Sequence, residues 1–187
     1  MDQVGPPRSV HVSKLLALVL RHQPERMGLT LDEAGWVAVE LVLRGFADVG
    51  TPITRDELEA IVRGSDKQRF AISDDGLRIR ASQGHSVDVD LGYEPATPPP
   101  LLFHGTVRKF LDSIRVHGLV RGKRHHVHLS ASTDTASRVG ERRGRPIVLE
   151  VQAAVMTTGG HQFFLSANGV WLTEHVPAAY ISFPDET

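Results

Sequence analysis

The chain has 187 residues, 41% of them hydrophobic and 23% charged, with a net charge of −1 and no cysteine. That length lies between one large domain and two small ones, since domains run to roughly 100–150 residues. Without cysteine, disulfides, thiolate nucleophiles and cysteine–zinc sites are excluded. The polar, proline-bearing start MDQVGPPRSV lacks a signal-peptide pattern, and the apolar run Leu15 to Leu20 falls short of the about 20 residues that span a bilayer. A cytoplasmic protein with no membrane segment is expected.

In the N-terminal part, Ser13 is placed to cap a helix that buries Leu15, Leu16, Leu18, Val19 and Leu20. Pro24 disfavours helical geometry before it, so this helix should end near His22. GLTLDEAGWV reads as two short strands around an Asp32–Gly35 turn, followed by a helix through Leu41 to Arg44. Thr54 and Glu57 form a T-x-x-E capping box opening a helix that Gly64 can close. RFAIS and LRIRA, joined by Asp74-Asp75-Gly76, predict a hairpin. Alternation sets Phe70, Ile72, Leu77 and Ile79 on an apolar face and Arg69, Arg78 and Arg80 on a basic one. Three helices and a terminal hairpin suggest a winged-helix arrangement.

The stretch Asp88–Pro100 carries acids, Gly92, Pro95 and Pro98 to Pro100, which suits a linker. It divides the chain into domains at 1–90 and 101–187, with the Pro-rich linker at 91–100.

Beyond the linker, LLFHGT reads as a strand ending in a Gly turn, and Arg108–His117 as a helix closed by Gly118. HVHLS alternates, with His126, His128 and Ser130 on one face and Val127 and Leu129 on the other. A helix around Ala136 precedes the β-run IVLEV. FFLSANGVWLT predicts a hairpin, because Asn168-Gly169 favours primed turns. The second part is a mixed α+β domain.

Charge is uneven. From Leu101 to Glu150 ten Lys or Arg stand against four Asp or Glu, and arginine outnumbers lysine 17 to 4 over the chain. Guanidinium is the better fork for phosphate oxygens, so a locally bound anion competes with a solvated basic surface as the explanation. Arg142, Arg143 and Arg145 in GERRGRP could cradle an anion or merely face water. Arg21 and His22 close the first helix, where cations suit the macrodipole whatever their function. His126 and His128 invite a metal, but neither H-E-x-x-H nor cysteine accompanies them, so no metal is expected. G-x-S-x-G, G-x-G-x-x-G and a Walker loop are all missing from the sequence. Composition and spacing alone give a two-lobed protein with arginines in both lobes, and no reaction.

The segments SKLLALVLRHQPERMGLTLDEAGWVAV, DKQRFAIS, IRASQGHS, LFHGT, HVHLS, VGERRGRPIVLEV and FFLSANGVWLT followed by VPAAYI carry a further signal. Their ordered set resembles the RNA 2′-phosphotransferase family, typified by tRNA 2′-phosphotransferases and bacterial KptA proteins, from Ser13 to Ile181. The resemblance implies an N-terminal winged-helix lobe and a C-terminal ADP-ribosyltransferase-like lobe, with the active site in the cleft between them. It implies an enzyme of tRNA processing or RNA repair that consumes NAD⁺ and acts on RNA carrying an internal 2′-phosphate; a monomer is expected. The phosphate would attack C1″ of the nicotinamide ribose. Ribose O2″ would then attack phosphorus, releasing 2′-hydroxyl RNA and ADP-ribose 1″,2″-cyclic phosphate.

The family's Arg-His-Arg-Arg set falls on Arg21, His22, Arg69 and Arg142. The resemblance places His104, Gly105 and Thr106 at the NAD⁺ ribose, with His128 and Ser130 nearby. Two positions depart from the family pattern: Arg143 stands where histidine is expected, and Phe103 precedes His104 where tyrosine is common. Gly169 and Val170 occupy the neighbourhood where many ADP-ribosyltransferases carry a glutamate, a difference the resembled family shares, so protein mono-ADP-ribosylation is disfavoured. The rival readings are an ADP-ribosyltransferase of nucleic-acid ends and a winged-helix nucleic-acid-binding regulator.

Overall fold

A computed structural model describes residues 8–65 and 68–184, so that Asp66 and Lys67 of the DKQRFAIS stretch lie outside the described residues, as do the first seven and the last three. The fold is α+β, and the chain divides into two units, Met1–Gly92 and Tyr93–Thr187.

The first unit opens with α1 (Arg8–Arg21), in which Ser13 is an interior residue and not a cap. Val12 joins Leu16, Val19 and Leu20 in the core at helical spacing, which carries the helix back past Ser13. Leu15 and Leu18 are only half-buried. The helix stops before Pro24 as expected, and a 3-10 turn over Pro24–Met27 is closed by Gly28 at φ +61°.

Of the two strands expected in GLTLDEAGWV, only β1 (Val37–Ala38) forms. The Asp32 carboxylate accepts from the backbone N of Ala34 (3.0 Å) and Trp36 (2.8 Å), and Asp32 N donates to Trp36 O at 2.9 Å, so the turn closes on Asp32 itself and builds no strand ladder. Leu29 is instead buried in the core as irregular chain. Next come α2 (Val39–Asp48) and α3 (Arg55–Arg63). The capping box of α3 is reciprocal: Glu57 N donates to Thr54 Oγ1 at 3.2 Å and Thr54 N to Glu57 Oε2 at 2.9 Å. Gly64 closes the helix.

The hairpin pairs β2 (Phe70–Ile72) with β3 (Arg78–Ala81), and β1 adds to the other side of β3, giving the antiparallel order β1-β3-β2. Phe70 and Ile79 enter a core with Leu16, Leu20, Phe46 and Leu58. Leu77 lies just before β3 and is 60% exposed, so it does not join the apolar face. The Arg78 and Arg80 guanidiniums stack on Trp36, at 5.5 and 4.5 Å from the ring centroid, so the basic face is partly covered by an aromatic ring.

The second unit is built around β4 (Leu102–Val107), which runs straight through Gly105 where a turn was expected. A 3-10 turn over Arg108–Phe110 leads into α4 (Leu111–His117), closed by Gly118 at φ +70°. Then follow β5 (Leu119–Val120), β6 (Val127–Leu129), α5 (Thr133–Gly140), β7 (Pro146–Val151), α6 (Ala153–Thr158), β8 (Phe164–Leu165), β9 (Trp171–Thr173), β10 (His175–Val176) and β11 (Ile181–Ser182). They make sheets of order β11-β7-β4, β6-β9-β8 and β10-β5, antiparallel throughout.

Phe103 and Ser130 exchange backbone hydrogen bonds of 2.8 Å and tie β4 to the end of β6. Leu102, Leu149, Met156, Phe163 and Trp171 form the core. In the proline-bearing stretch, Ala96 N donates to Phe163 O at 2.8 Å, and Pro95 bridges to Phe164. The hairpin at Asn168-Gly169 is present but its turn is longer than a two-residue primed one. Ser166 pairs with Val170, and only Gly169 adopts positive φ, at +74°. Among the described residues, no helix is long and apolar enough to cross a membrane.

Candidate functional site

Three of the candidate residues meet inside the first unit. Arg21 ends α1, and its Nη2 donates to the backbone O of Arg69 at 3.3 Å. His22 follows directly, and its Nδ1 lies 2.9 Å from Ser86 Oγ. Ser86 also donates its backbone N to Arg21 O at 2.8 Å, so one serine holds two consecutive residues. Arg69 is fixed at the entrance to β2. Its backbone N and Nη1 both reach Ser65 Oγ at 3.3 Å, while its carbonyl accepts from Ser82 N at 3.0 Å. Gln68 beside it has φ +40°, the only positive φ of a non-glycine residue among those described. Such backbone strain persists only where surrounding bonds enforce it, and Ser82 Oγ supplies one by donating to Gln68 O at 2.7 Å.

Two cationic forks and an imidazole are therefore held in one hydrogen-bonded set, a suitable device for gripping a phosphate. The tethers Ser65, Ser82 and Ser86 were not singled out in the sequence. Ser82 and Ser86 sit in IRASQGHS, where their fixed distance from the hairpin was the one available signal.

The second unit gathers the remaining candidates around β4. His104 Nδ1 lies 3.0 Å from the backbone O of His128. Facing a carbonyl, that nitrogen must carry the proton, which leaves Nε2 as an acceptor. Burial holds the His104 pKa below its ordinary 6.5; the carbonyl of His128 pulls it back, and the charges of Arg143 and Arg124 push it further down. His104 is thus a neutral imidazole at neutral pH.

Gly105 lets α5 lie on the strand: a Cβ there would stand 1.8 Å from Ala136 O and 2.9 Å from Gly140 N. Thr106 is buried, and Ser130 serves as the backbone partner of Phe103. Arg142 and Arg143 are exposed on the 3-10 turn Glu141–Arg143 that continues α5, with the Arg143 guanidinium 5.6 Å from the centroid of Phe110.

His126 and His128, weighed as metal ligands, are engaged differently. His126 packs between rings, 6.2 Å from Tyr93 and 5.5 Å from Phe164, and burial first, then His125 and Arg121, keeps its pKa below the ordinary value. His128 Nδ1 lies 3.3 Å from Nη1 of Arg124, an arginine that sequence reasoning did not place in the site. A guanidinium always donates, so His128 Nδ1 accepts and its proton sits on Nε2. His104 and His128 therefore present opposite hydrogen-bonding characters.

The model of the family described as "RNA 2′-phosphotransferase, Tpt1 / KptA family" matches residues 7–175. A "Probable RNA 2′-phosphotransferase" of Streptomyces coelicolor is 57% identical over 177 residues, covering 95% of this chain and 96% of that one. Proteins of the same description from Hahella chejuensis (52% over 173 residues, 92% and 93% covered) and Pseudomonas aeruginosa PAO1 (54% over 170 residues, 90% and 93% covered) are similar to it along the same length. A match that spans both units at this identity leaves one conclusion: the chain belongs to the RNA 2′-phosphotransferase, Tpt1 / KptA family.

Proposed function

We propose that the chain is an NAD⁺-dependent RNA 2′-phosphotransferase that removes an internal 2′-phosphate from a tRNA-like RNA, working as a cytoplasmic monomer. In the first step a phosphate oxygen bonds to C1″ of the nicotinamide ribose and nicotinamide leaves. In the second, ribose O2″ bonds to phosphorus, the bond to the RNA 2′-oxygen breaks, and that oxygen takes up the proton that O2″ lost. The products are 2′-hydroxyl RNA, ADP-ribose 1″,2″-cyclic phosphate and nicotinamide.

The observation that carries this reading is the convergence of Arg21, His22 and Arg69. The nucleophile of step one is already an anion, so the protein needs no side chain to create it. It needs cations that hold the phosphate and stabilise charge at phosphorus, which is the task assigned to Arg21, Arg69 and Arg142. His22, held through Nδ1 by Ser86, is assigned to donate to the phosphate or to move the proton of step two. His104, Gly105, Thr106, His128 and Ser130 are assigned to the NAD⁺ ribose, where the neutral ring of His104 supplies an acceptor for a hydroxyl.

The helix-strand-helix-helix-hairpin order of the first unit, with its sheet order β1-β3-β2, supports a winged-helix reading for the RNA-binding lobe. The strand-rich second unit supports an ADP-ribosyltransferase-like one.

Mass spectrometry of a mixture of the protein, NAD⁺ and a short RNA bearing one internal 2′-phosphate tests the proposal. Loss of the phosphate with appearance of ADP-ribose 1″,2″-cyclic phosphate is expected. Accumulation of ADP-ribosylated RNA with no cyclic phosphate would turn the assignment to a nucleic-acid ADP-ribosyltransferase. RNA binding without any reaction would replace it with a binding protein.

A further inference from the structure

The second unit holds a group of cations without a matching anion. Arg124 precedes β6, and Arg142 and Arg143 follow α5. Arg124 lies at the surface, and its charged form is disfavoured first by the protein beside it and then by Arg143 and Arg142. Arg143 and Arg124 also act together on His104, which puts these two arginines in the electrostatic surroundings of β4.

Among the described residues, none of the three arginines forms an ion pair with a carboxylate, whereas Arg8, Arg55, Arg63 and Arg78 of the first unit all do. An arginine kept only for solubility would turn away from like charges. Arg124 does not, because its guanidinium is hydrogen-bonded to His128 Nδ1. That bond orients the fork but contributes no negative charge, since an imidazole accepting at Nδ1 is neutral.

We infer that Arg124 is a phosphate-binding residue of the second unit, oriented by His128 and acting with Arg142 and Arg143 on a phosphate-bearing anion. The ligand brings the counter-charge that the protein lacks there, and the planar fork takes two of its oxygens. This rests on the reading above that the chain binds a dinucleotide and a phosphorylated RNA. The same chemistry is offered by the pyrophosphate of the dinucleotide and by the RNA 2′-phosphate.

Calorimetric titration of the full chain with ADP-ribose, and separately with a 2′-phosphorylated trinucleotide, distinguishes these sources. Arg124→Gln should weaken binding of one probe about tenfold or more, as expected for loss of a charge-assisted hydrogen bond, and the probe that weakens identifies the phosphate. Arg121→Gln removes the same charge from an exposed neighbour whose Nη1 donates to His125 O, and should bind both probes as the parent does. Equal weakening by the two variants would reduce Arg124 to a general surface charge and overturn the inference. So would Arg124→Gln binding both probes at parental affinity, with the two-step reaction left standing. If the parent protein binds neither probe, both the inference and the function it rests on fall.

Discussion

Replacing Gly105 by alanine is the most demanding test of how the second unit is built. The added Cβ would lie 1.8 Å from Ala136 O, 2.7 Å from Ala136 C and 2.9 Å from Gly140 N, all main-chain atoms of α5, whereas real Cβ contacts essentially never fall under 3.0 Å. Gly105 does not need the left-handed region, so the cost is steric and not torsional. No side chain can rotate away, and the helix must move off the strand by roughly 1 Å. Overpacking costs about 1–3 kcal/mol, and a main-chain obstacle places this case near about 3 kcal/mol. For a unit of this size that corresponds to a fall in Tm of roughly 12–24 °C. The same displacement carries the Glu141–Arg143 turn with it, and a shift of about 1 Å in a positioned group costs about 10²-fold in rate. Thermal denaturation, together with turnover measured well below the lowered Tm, checks both numbers. A Gly105→Ala protein that melts within about 3 °C of the parent and keeps its turnover would refute the close packing of α5 on β4 as the reason for glycine.

Ser86→Ala removes the bond to His22 Nδ1 and should lower kcat about tenfold with KM little changed, while Ser86→Thr, which keeps the hydroxyl, should recover most of it. Parental kcat in the alanine variant, with an unshifted pH profile, would leave His22 independent of Ser86. Arg69→Ala and Arg142→Ala should each cost about 10²–10³ in rate, and Arg143→Ala less, since the Arg143 guanidinium rests on Phe110. The reverse order for the last two, in single-turnover kinetics, would hand the phosphate to Arg143. The pKa values of His104 and His126 are both depressed on folding, so the unfolded chain binds more protons than the folded one in mild acid. Their contribution to stability is full above the ordinary value of 6.5 and is lost as pH falls through their lower folded values. Chemical denaturation across this range should show that slope, and His104→Gln should flatten it.

What could be read from the sequence depended on how far apart the interacting residues lie. The capping box of α3, the β2–β3 hairpin and the stop of α4 at Gly118 are decided within a few residues, and local patterns found them. The second expected strand of GLTLDEAGWV failed because β1 takes its partner from β3, beyond two helices, while Asp32 satisfies the turn alone. Gly105 was read as a turn because the helix that requires it lies beyond β6. Arg21, His22 and Arg69 could be singled out only through a family resemblance, since their meeting depends on serines at positions 65, 82 and 86. Arg124 stands in the run Arg124-His125-His126-Val127-His128, and only its hydrogen bond to His128 separates it from its neighbours.

The chain has two tryptophans, and one falls in each unit. Trp36 is in contact with two guanidiniums at a half-exposed position, while Trp171 is sealed in the core of the second unit. The two indoles should therefore emit differently, Trp171 at the shorter wavelength and Trp36 in contact with solvent. Trp36→Phe and Trp171→Phe would each leave a single fluorophore reporting on one half of the molecule. Melting and ligand-induced changes in the two halves could then be followed separately in the intact chain, with no label attached.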